Sequence, residues 1–376
     1  MSEPTAHGLR AAFDAAPPYT VGIEDEVMLL DPDTLELVPR AGELLALLDD
    51  DRRFKMELPA SQLELLTPAC AGVTEAARAL LAAREELAAR VDGRVRLASA
   101  GAHPFSEGVG ALNRVSPYER TIEEYGPVAV RELVCALQVH VSVGDADRAL
   151  AVHDAARSYL PLLAALAANG PFYEGRDTGL ASVRPKLAEL LPRHGVPPAL
   201  GSWDAYAEAL RWGVTSGAFP DVRTWWWELR LHPAFGTLEF RVPDGQATVG
   251  DAAAIAAVVQ ALVVWLSERH AAGEQLSVVP AWRIAENSWS ACRYGVEGNM
   301  ADLQSGALTA TQSRLDELIA TLEPIASRLD AASWLERARA MCRMNGAMAQ
   351  RSVAADGGPV AVARWLADRF LDPPPG

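Results

Sequence analysis

Polar and charged side chains recur at every second position in four short segments of the 376-residue sequence. Residues two apart on a β-strand point to the same face, so each segment predicts a strand with one polar face and one apolar face. The polar set comprises Glu24 and Glu26 in VGIEDEVML, Gln62 and Glu64 in SQLELLT, Gln138, His140 and Ser142 in ALQVHVSV, and Thr237, Glu239 and Arg241 in GTLEFRV.

If these strands belong to one antiparallel sheet, their polar faces form a wet trough that is rich in carboxylates. Carboxylates that converge in this way resist ionisation unless cations lie among them. Oxygen ligands with a single imidazole favour Mg²⁺ or Mn²⁺ over zinc. The trough is therefore a candidate metal site.

Each pattern also has an ordinary structural interpretation. An E-x-E pair on a strand is usually the solvent-facing side of an antiparallel sheet. Glu239 and Arg241 fit a cross-strand ion pair, and His140 alone is typical of a hydrogen-bonded structural histidine. The coincidence of four such strands favours the metal site.

The rest of the sequence predicts helices around these strands. Helical spacing is present in Val73–Val91 and Asp145–Ala168, and the chain is mostly helical from Val249 onward. Residues 169–201 are rich in Gly and Pro and are expected to form a loop. Further strands are predicted in FKMELP, in VRLASAG and in residues 18–40, where a turn at 31–34 joins two strands.

The composition indicates a folded, cytoplasmic protein. The net charge of −15 and the pI of about 5.0 provide no positive field for nucleic acid or for an anionic membrane. The first twenty residues contain no apolar signal-peptide core, and the four widely spaced cysteines suggest neither a disulfide framework nor zinc. The longest apolar run, Ala252–Leu266, is shorter than the roughly 20 residues of a membrane helix and predicts a buried one.

The order of several motifs resembles one family. VGIEDE, SQLELLTPAC, ASAGAHPF, LVCALQVHVSV, ALAANGPFYEGRDTG, FGTLEFRVPDGQ and ENSWSACRYG occur as in the bacterial carboxylate-amine ligases of the glutamate-cysteine ligase type 2 family. The resemblance implies a single catalytic domain over residues 1–376, with an ordered core at 19–370 after a short N-terminal extension. It also implies an α+β, glutamine-synthetase-like fold in which helices back a curved antiparallel sheet.

The same resemblance implies roles for individual residues. The expected metal ligands are Glu24, Glu26, Glu64 and Glu239, with Gln138 or His140 nearby, and the expected catalytic pair is Glu239 and Arg241. The expected contacts to substrate or phosphate are His103, Asn169, Arg184, Arg230 and Arg293, although the three arginines also fit surface ion pairs.

Four departures from the family pattern bear on activity. Asp25 replaces the middle glutamate of G-I-E-E-E and is expected to point away from the trough. Gln138 stands where relatives commonly have a histidine, which affects the expected metal coordination. Asn169-Gly170-Pro171 replaces the usual A-N-S-P, and the segment around Arg293 lacks basic residues of relatives, so the substrate is expected to differ.

The implied activity is ATP-dependent joining of a carboxylate to an amine through an acyl phosphate, with Mg²⁺ or Mn²⁺. No G-x-x-x-x-G-K-[ST] or G-x-G-x-x-G motif is present, so metals rather than a glycine-rich loop are expected to hold ATP. The expected partners are a small-molecule carboxylate, with glutamate as the candidate, and an amine, and the chain is a candidate homo-oligomer. Two alternatives stay open: a metal-dependent amide hydrolase, and a catalytically silent binding protein of the same fold.

Overall fold

The computed structural model describes residues 4–116, 118–219 and 224–373. Within these ranges the main feature is a seven-stranded sheet in which all neighbouring strands are antiparallel. The strands of the described chain are β1 (Val21–Leu30), β2 (Phe54–Met56), β3 (Gln62–Leu66), β4 (Arg96–Ala98), β5 (Leu137–Ser142), β6 (Phe172–Tyr173), β7 (Arg176–Asp177), β8 (Leu229–His232), β9 (Thr237–Phe240), β10 (Asn299–Ala301) and β11 (Leu308–Ala310).

Strand β1 is the centre of the sheet. Six strands follow one another in the order β2-β3-β1-β5-β9-β8, and β4 pairs with the last residues of β1. The first half of β1 pairs with β5 along the same edge, while β3 lies along the opposite edge. The four segments with alternating polarity are therefore four consecutive strands, β3, β1, β5 and β9.

Helices account for most of the remaining chain. The helices of the described residues are α1 (Ala6–Ala15), α2 (Ala41–Leu45), α3 (Val73–Arg90), α4 (Glu119–Ala129), α5 (Ala146–Ala156), α6 (Leu160–Ala167), α7 (Arg184–Ala188), α8 (Trp203–Thr215), α9 (Val249–Ala271), α10 (Ala281–Tyr294), α11 (Thr311–Arg328), α12 (Ala332–Met341) and α13 (Gly346–Asp368). Helices α3 and α9 pack against the sheet through β1, β3 and β5. The predicted α+β class, an antiparallel sheet backed by helices, is confirmed.

Helix α9 lies at the middle of the hydrophobic core. It packs against β1 and β5 on one side and against α3, α5, α11 and α12 elsewhere. The apolar run that predicted a buried helix, Ala252–Leu266, lies within it. Among the described helices only α9 is long and apolar enough to cross a membrane, and 89% of its apolar window is buried inside the protein. The run therefore fills the core of the fold.

Local details differ from the sequence-based expectations. The helix predicted over Asp145–Ala168 is divided into α5 and α6, because Pro161 in the first turn of α6 has no amide hydrogen to continue a helix from α5. The second strand predicted after the turn at 31–34 is reduced to one bridge between Leu30 and Leu37. The predicted loop at 169–201 contains β6, β7 and α7.

The N-terminal segment also differs from its expected role as an extension outside the core. Helix α1 buries Leu9 and Phe13 in the main hydrophobic cluster. The ring of Phe13 lies 5.1 Å from that of Trp203 at the start of α8. Residues before position 19 thus contribute to the packed structure.

One ion pair interrupts the apolar back of the sheet. Asp25 points away from the polar face, as predicted, and pairs with Arg84 of α3; both side chains are fully buried. The Arg84 guanidinium donates to Asp25 (2.9 Å) and to the carbonyl oxygens of Gln246 (2.9 Å), Ala247 (3.2 Å) and Phe370 (3.0 Å). Through these hydrogen bonds, Arg84 of α3 connects β1 to the segment before α9 and to the segment after α13.

Arg84→Met is expected to destabilise the protein by about 3–5 kcal/mol, because it removes the cation that faces buried Asp25 and leaves only the Ser99 hydroxyl, 3.5 Å away, as a partner. Chemical denaturation measures the change in the free energy of unfolding. Arg78→Met, at an exposed position of the same helix, is the matched control and is expected to change it by less than about 0.5 kcal/mol. Adding Asp25→Leu to Arg84→Met should restore much of the loss; equal stability of Arg84→Met and wild type would contradict the assignment.

Candidate active site

Strand register brings the predicted residues together on one face of the sheet. Glu24 of β1 lies opposite Gln138 of β5, and Glu26 lies opposite Glu64 of β3. On the other side of β5, His140 lies opposite Glu239 of β9. Since these positions alternate with apolar residues of the core, the polar side chains form a continuous band across four strands.

Glu24, His140 and Glu239 form the first carboxylate group. Each offers a ligand atom, and the three atoms lie within 4.8 Å of one another. The Nδ1 atom of His140 is 2.9 Å from the Thr237 hydroxyl, so Nε2 is directed towards Glu24, 3.4 Å from its Oε1. That Nε2 is buried and has no hydrogen-bond partner among the described residues. An imidazole oriented through one nitrogen with the other left open is the usual arrangement of a metal-binding histidine.

Glu26, Glu57 and Glu64 form the second carboxylate group, again with ligand atoms within 4.8 Å. Burial and then the Glu26 carboxylate raise the pKa of Glu57 to about 8. Burial and then the charge of Glu24 hold the pKa of Glu64 well above its usual value. The nearest cation, Lys55, lies 3.5 Å from Glu64. Burial and mutual repulsion thus disfavour the charged form of these carboxyl groups, and a divalent ion would offset both.

Gln138 and Arg241 lie between the two groups. The Gln138 amide donates to Glu26 (2.9 Å) and Glu64 (3.5 Å), and its oxygen accepts from Arg241. Gln138 was predicted as a metal ligand, but both ends of its amide are used by protein groups. In this arrangement His140 supplies the imidazole and Gln138 links the second group to Arg241.

Two arginines fix Glu239. Arg230 of β8 and Arg241 both form ion pairs with its carboxylate, the latter at 2.6 Å. Although burial opposes ionisation, the charges of Arg230 and Arg241 lower the pKa of Glu239. Arg230, which was predicted to contact substrate, thus lies at the first carboxylate group rather than at a separate surface. The Nε and Nη2 atoms of Arg241 make no hydrogen bond within the described residues and remain available.

A pocket opens beside the second group. Its empty volume, including the open mouth, is about 920 Å³. Arg184 lies in its wall, where Nε donates to Asp244 (2.8 Å) and Nη2 to main-chain carbonyls after β9. Burial raises the pKa of the lining residues Glu132 and Glu228 to about 7. Other lining residues are Glu26, Glu57, Gln62, Tyr118, His194, Trp226 and Arg241.

Three predicted substrate contacts lie outside this arrangement. His103 is buried, with Nε2 at 2.9 Å from the Leu35 carbonyl and Nδ1 accepting from two amides, so no ring nitrogen is open to a ligand. The Asn169 side chain is 1% exposed and is bonded to Gly245 and Gln350. Arg293 lies over the ring of Tyr294 and borders Gly179. None of the three lines the pocket.

The donor set fits hard divalent cations. Each group offers carboxylate oxygens, the first adds one imidazole, and neither contains a thiolate, which is a combination suited to Mg²⁺ or Mn²⁺. The His140 Nε2, which has no hydrogen-bond partner among the described residues, and the raised pKa values of Glu57 and Glu64 both fit a site that receives a cation. The residues present would hold one ion in each group.

Sequence reasoning missed several residues of the site. Glu57 follows directly after β2 and keeps the two-residue spacing from Lys55, a signal that the short FKM strand obscured. Glu132 precedes β5 and Glu228 precedes β8, so neither belongs to the alternating part of its strand. Asp244, which orients Arg184, follows β9, pairs with Ala136 in an isolated bridge and carried no periodic signal.

The sequence and the fold are similar to those of known proteins. A sequence model described as Glutamate-cysteine ligase family 2 (GCS2) matches residues 20–361. A protein of Rubrobacter xylanophilus, provisionally named glutamate–cysteine ligase 2-3, is 39% identical over 368 residues, which are 96% of this chain and 99% of that protein.

Two solved structures are similar in fold. The glutamate–cysteine ligase of Francisella tularensis in complex with AMP has a TM-score of 0.67 at 11% identity, over 94% of this chain and 89% of that one. A bifunctional glutathione synthetase from Pasteurella multocida has a TM-score of 0.65 at 14% identity, over 97% of this chain and 53% of the synthetase. These likenesses confirm the predicted glutamine-synthetase-like fold.

The wild-type chain is expected to bind two Mn²⁺ ions, one in each carboxylate group. Glu24→Gln should remove the first ion and Glu64→Gln the second, because an amide keeps the shape of the side chain but lacks its charge. Electron paramagnetic resonance of free Mn²⁺ during titration counts the bound ions. Glu208→Gln, at an exposed position on α8, should retain both, and two ions in all variants would contradict the assignment.

Proposed function

The chain belongs to the glutamate-cysteine ligase family 2, and we propose from this premise that it activates a small-molecule carboxylate with ATP and joins it to an amine. It is thereby an ATP-dependent ligase of the glutamate–cysteine ligase type. The observation that carries the proposal is the pairing of two carboxylate groups on one sheet face with an adjoining pocket that contains arginines.

The nucleotide is assigned to the side of the first group. Glu24, His140 and Glu239 would hold one divalent ion, and Glu26, Glu57 and Glu64 a second. When bound, such ions neutralise the phosphate oxygens and the charge that develops as the γ-phosphoryl group moves. The net charge of −15 provides no overall positive field for a polyphosphate, so local cations at the site must attract it.

The carboxylate substrate is assigned to the pocket. The open nitrogens of Arg241 and the Nη1 of Arg184, which has no hydrogen bond within the described part of the chain, are donors suited to a carboxylate. The substrate oxygen attacks the γ-phosphorus, the bond to ADP breaks, and an acyl phosphate forms. Arg241 is the group that would stabilise the anionic oxygens, because Glu239 and Gln138 fix its position.

The amine then displaces phosphate from the acyl carbon and loses a proton. Glu132 and Glu228 line the same pocket, and a pKa of about 7 suits a carboxylate that accepts a proton near neutrality. A pocket with both arginines and glutamates also fits the two ends of an amino acid. Glutamate is the proposed acid; the cytoplasmic location and the homo-oligomer stay predictions from the sequence.

Incubation with Mg²⁺, ATP, glutamate and a pool of amino acids and amines is expected to release ADP and phosphate and to form an amide. Glu24→Gln should lower the rate at least about a hundredfold, since a ligand of the phosphate-binding ion is lost. Glu24 is a better position for this test than Glu239. Glu239 neutralises two buried arginines, so its replacement would also affect the folded structure. Glu208→Gln serves as the control and should keep wild-type rates.

The assay separates the competing functions. Loss of an amide substrate without any need for nucleotide would indicate the hydrolase. Metal-dependent binding of ATP without product would indicate the silent binding protein. Unchanged turnover in Glu24→Gln, with an unchanged melting temperature, would contradict the assigned site.

A further inference from the structure

An aromatic side chain lies exposed beside the first carboxylate group. Phe235 belongs to the turn that joins β8 to β9 and is 55% exposed, although it is a large apolar residue. Its ring centroid is 5.7 Å from that of His140, whose Nε2 faces the metal group. None of the functions assigned above uses Phe235.

The exposed ring is supported from behind. His232, the last residue of β8, stacks on Phe235 with ring centroids 4.3 Å apart and an interplanar angle of 9°. His232 is only 8% exposed, and its ring meets that of His140 edge-on at 5.7 Å. One face of Phe235 is therefore covered by an imidazole, while 55% of the residue stays exposed.

The backbone holds this ring in place. The amides of Phe235 and Gly236 both donate to the His232 carbonyl, at 3.2 and 2.9 Å. Gly236 adopts a φ of 66°, and a Cβ at this position would lie 2.2 Å from the Ala12 carbonyl oxygen. The turn is thus packed closely on α1, and a ligand that meets Phe235 meets a preformed surface.

We propose that the open face of Phe235 is the platform on which the purine base of ATP stacks. The inference rests on the proposed function, because it places the triphosphate at the Glu24, His140 and Glu239 group. A nucleotide held there by its phosphates has its base beyond the ribose, within reach of a ring that borders His140. A flat, exposed aromatic face supported by a second ring is the surface that stacks with a base.

The opposite placement of the base fits the structure less well. The pocket beside the second group is lined by Glu57, Glu132, Glu228, Arg184 and Arg241, which suit charged substrate ends. Two large aromatic side chains also line it. Trp226 is in contact with Tyr125, His194 and the guanidinium of Arg193, and Tyr118 donates its hydroxyl to the Met56 carbonyl. Phe235 instead is 55% exposed, does not line this pocket and lies against His140 of the first group.

Isothermal titration with two ligands in Mg²⁺ buffer tests this platform. The ligands are a non-hydrolysable imido analogue of ATP, which has a base, and inorganic tripolyphosphate, which has none. Phe235→Ala is expected to weaken binding of the analogue about tenfold or more, the size of effect that loss of base stacking produces. Binding of tripolyphosphate should stay within about twofold of wild type, because the metal groups are unchanged.

Two further variants complete the test. Phe235→Trp keeps an aromatic face and should bind the analogue as wild type does, and Trp282→Ala, at a 64% exposed aromatic on α10, should bind both ligands normally. A loss of threefold or less for the analogue in Phe235→Ala, or an equal loss for tripolyphosphate, overturns the platform while leaving the ligase proposal standing. If the wild-type protein binds neither the ATP analogue nor tripolyphosphate, the platform and the ligase proposal are both overturned.

Discussion

Mutual repulsion among glutamates on one sheet face is the constraint on which the rest of the structure depends. The protein neutralises only part of this charge: two arginines fix Glu239, and His140 lies against Glu24. In the second group, burial and neighbouring carboxylates raise the pKa of Glu57 and Glu64. Such a surface is costly in isolation and becomes favourable when divalent cations occupy it. The converging carboxylates are Glu24, Glu26, Glu57, Glu64 and Glu239.

The opposite face of the same sheet makes this charge tolerable. Residues between the glutamates, such as Ile23, Val27 and Val139, are fully or almost fully buried against α3 and α9. Asp25 is an exception to this pattern, and within the core it is paired with Arg84. Because register fixes which side chains face outward, a one-residue slip in β1 would turn Glu24 and Glu26 into the core. Packing on the helices thus determines the geometry of the site.

The sequence predicted the parts of the site that follow strand periodicity. Alternation is a property of the strand itself, and it places on one face the side chains of Glu24, Glu26, Glu64, His140 and Glu239. Arg241, the residue after β9, continues the same spacing. Periodicity could not locate Glu57, Glu132 or Glu228, which lie just outside strand ends and reach the site through tertiary folding. Periodicity also could not show that the Gln138 amide is hydrogen-bonded to neighbouring side chains, because that depends on side-chain distances across strands.

Only some of the residues predicted from motif resemblance alone lie at the candidate site. Arg184 and Arg230 lie at the pocket and at the first group, whereas His103, Asn169 and Arg293 do not. His103 and Asn169 hold loops through hydrogen bonds to main-chain groups. A motif marks positions that the fold needs as well as positions that touch a ligand, and only coordinates separate the two.

Anomalous diffraction from crystals soaked with Mn²⁺ and a non-hydrolysable ATP analogue tests the central claim most directly. We expect one manganese peak within bonding distance of Glu24, His140 and Glu239, a second within bonding distance of Glu26, Glu57 and Glu64, and the triphosphate in contact with the first ion. Manganese and nucleotide bound on other surfaces, with the glutamate face free of both, would contradict the account.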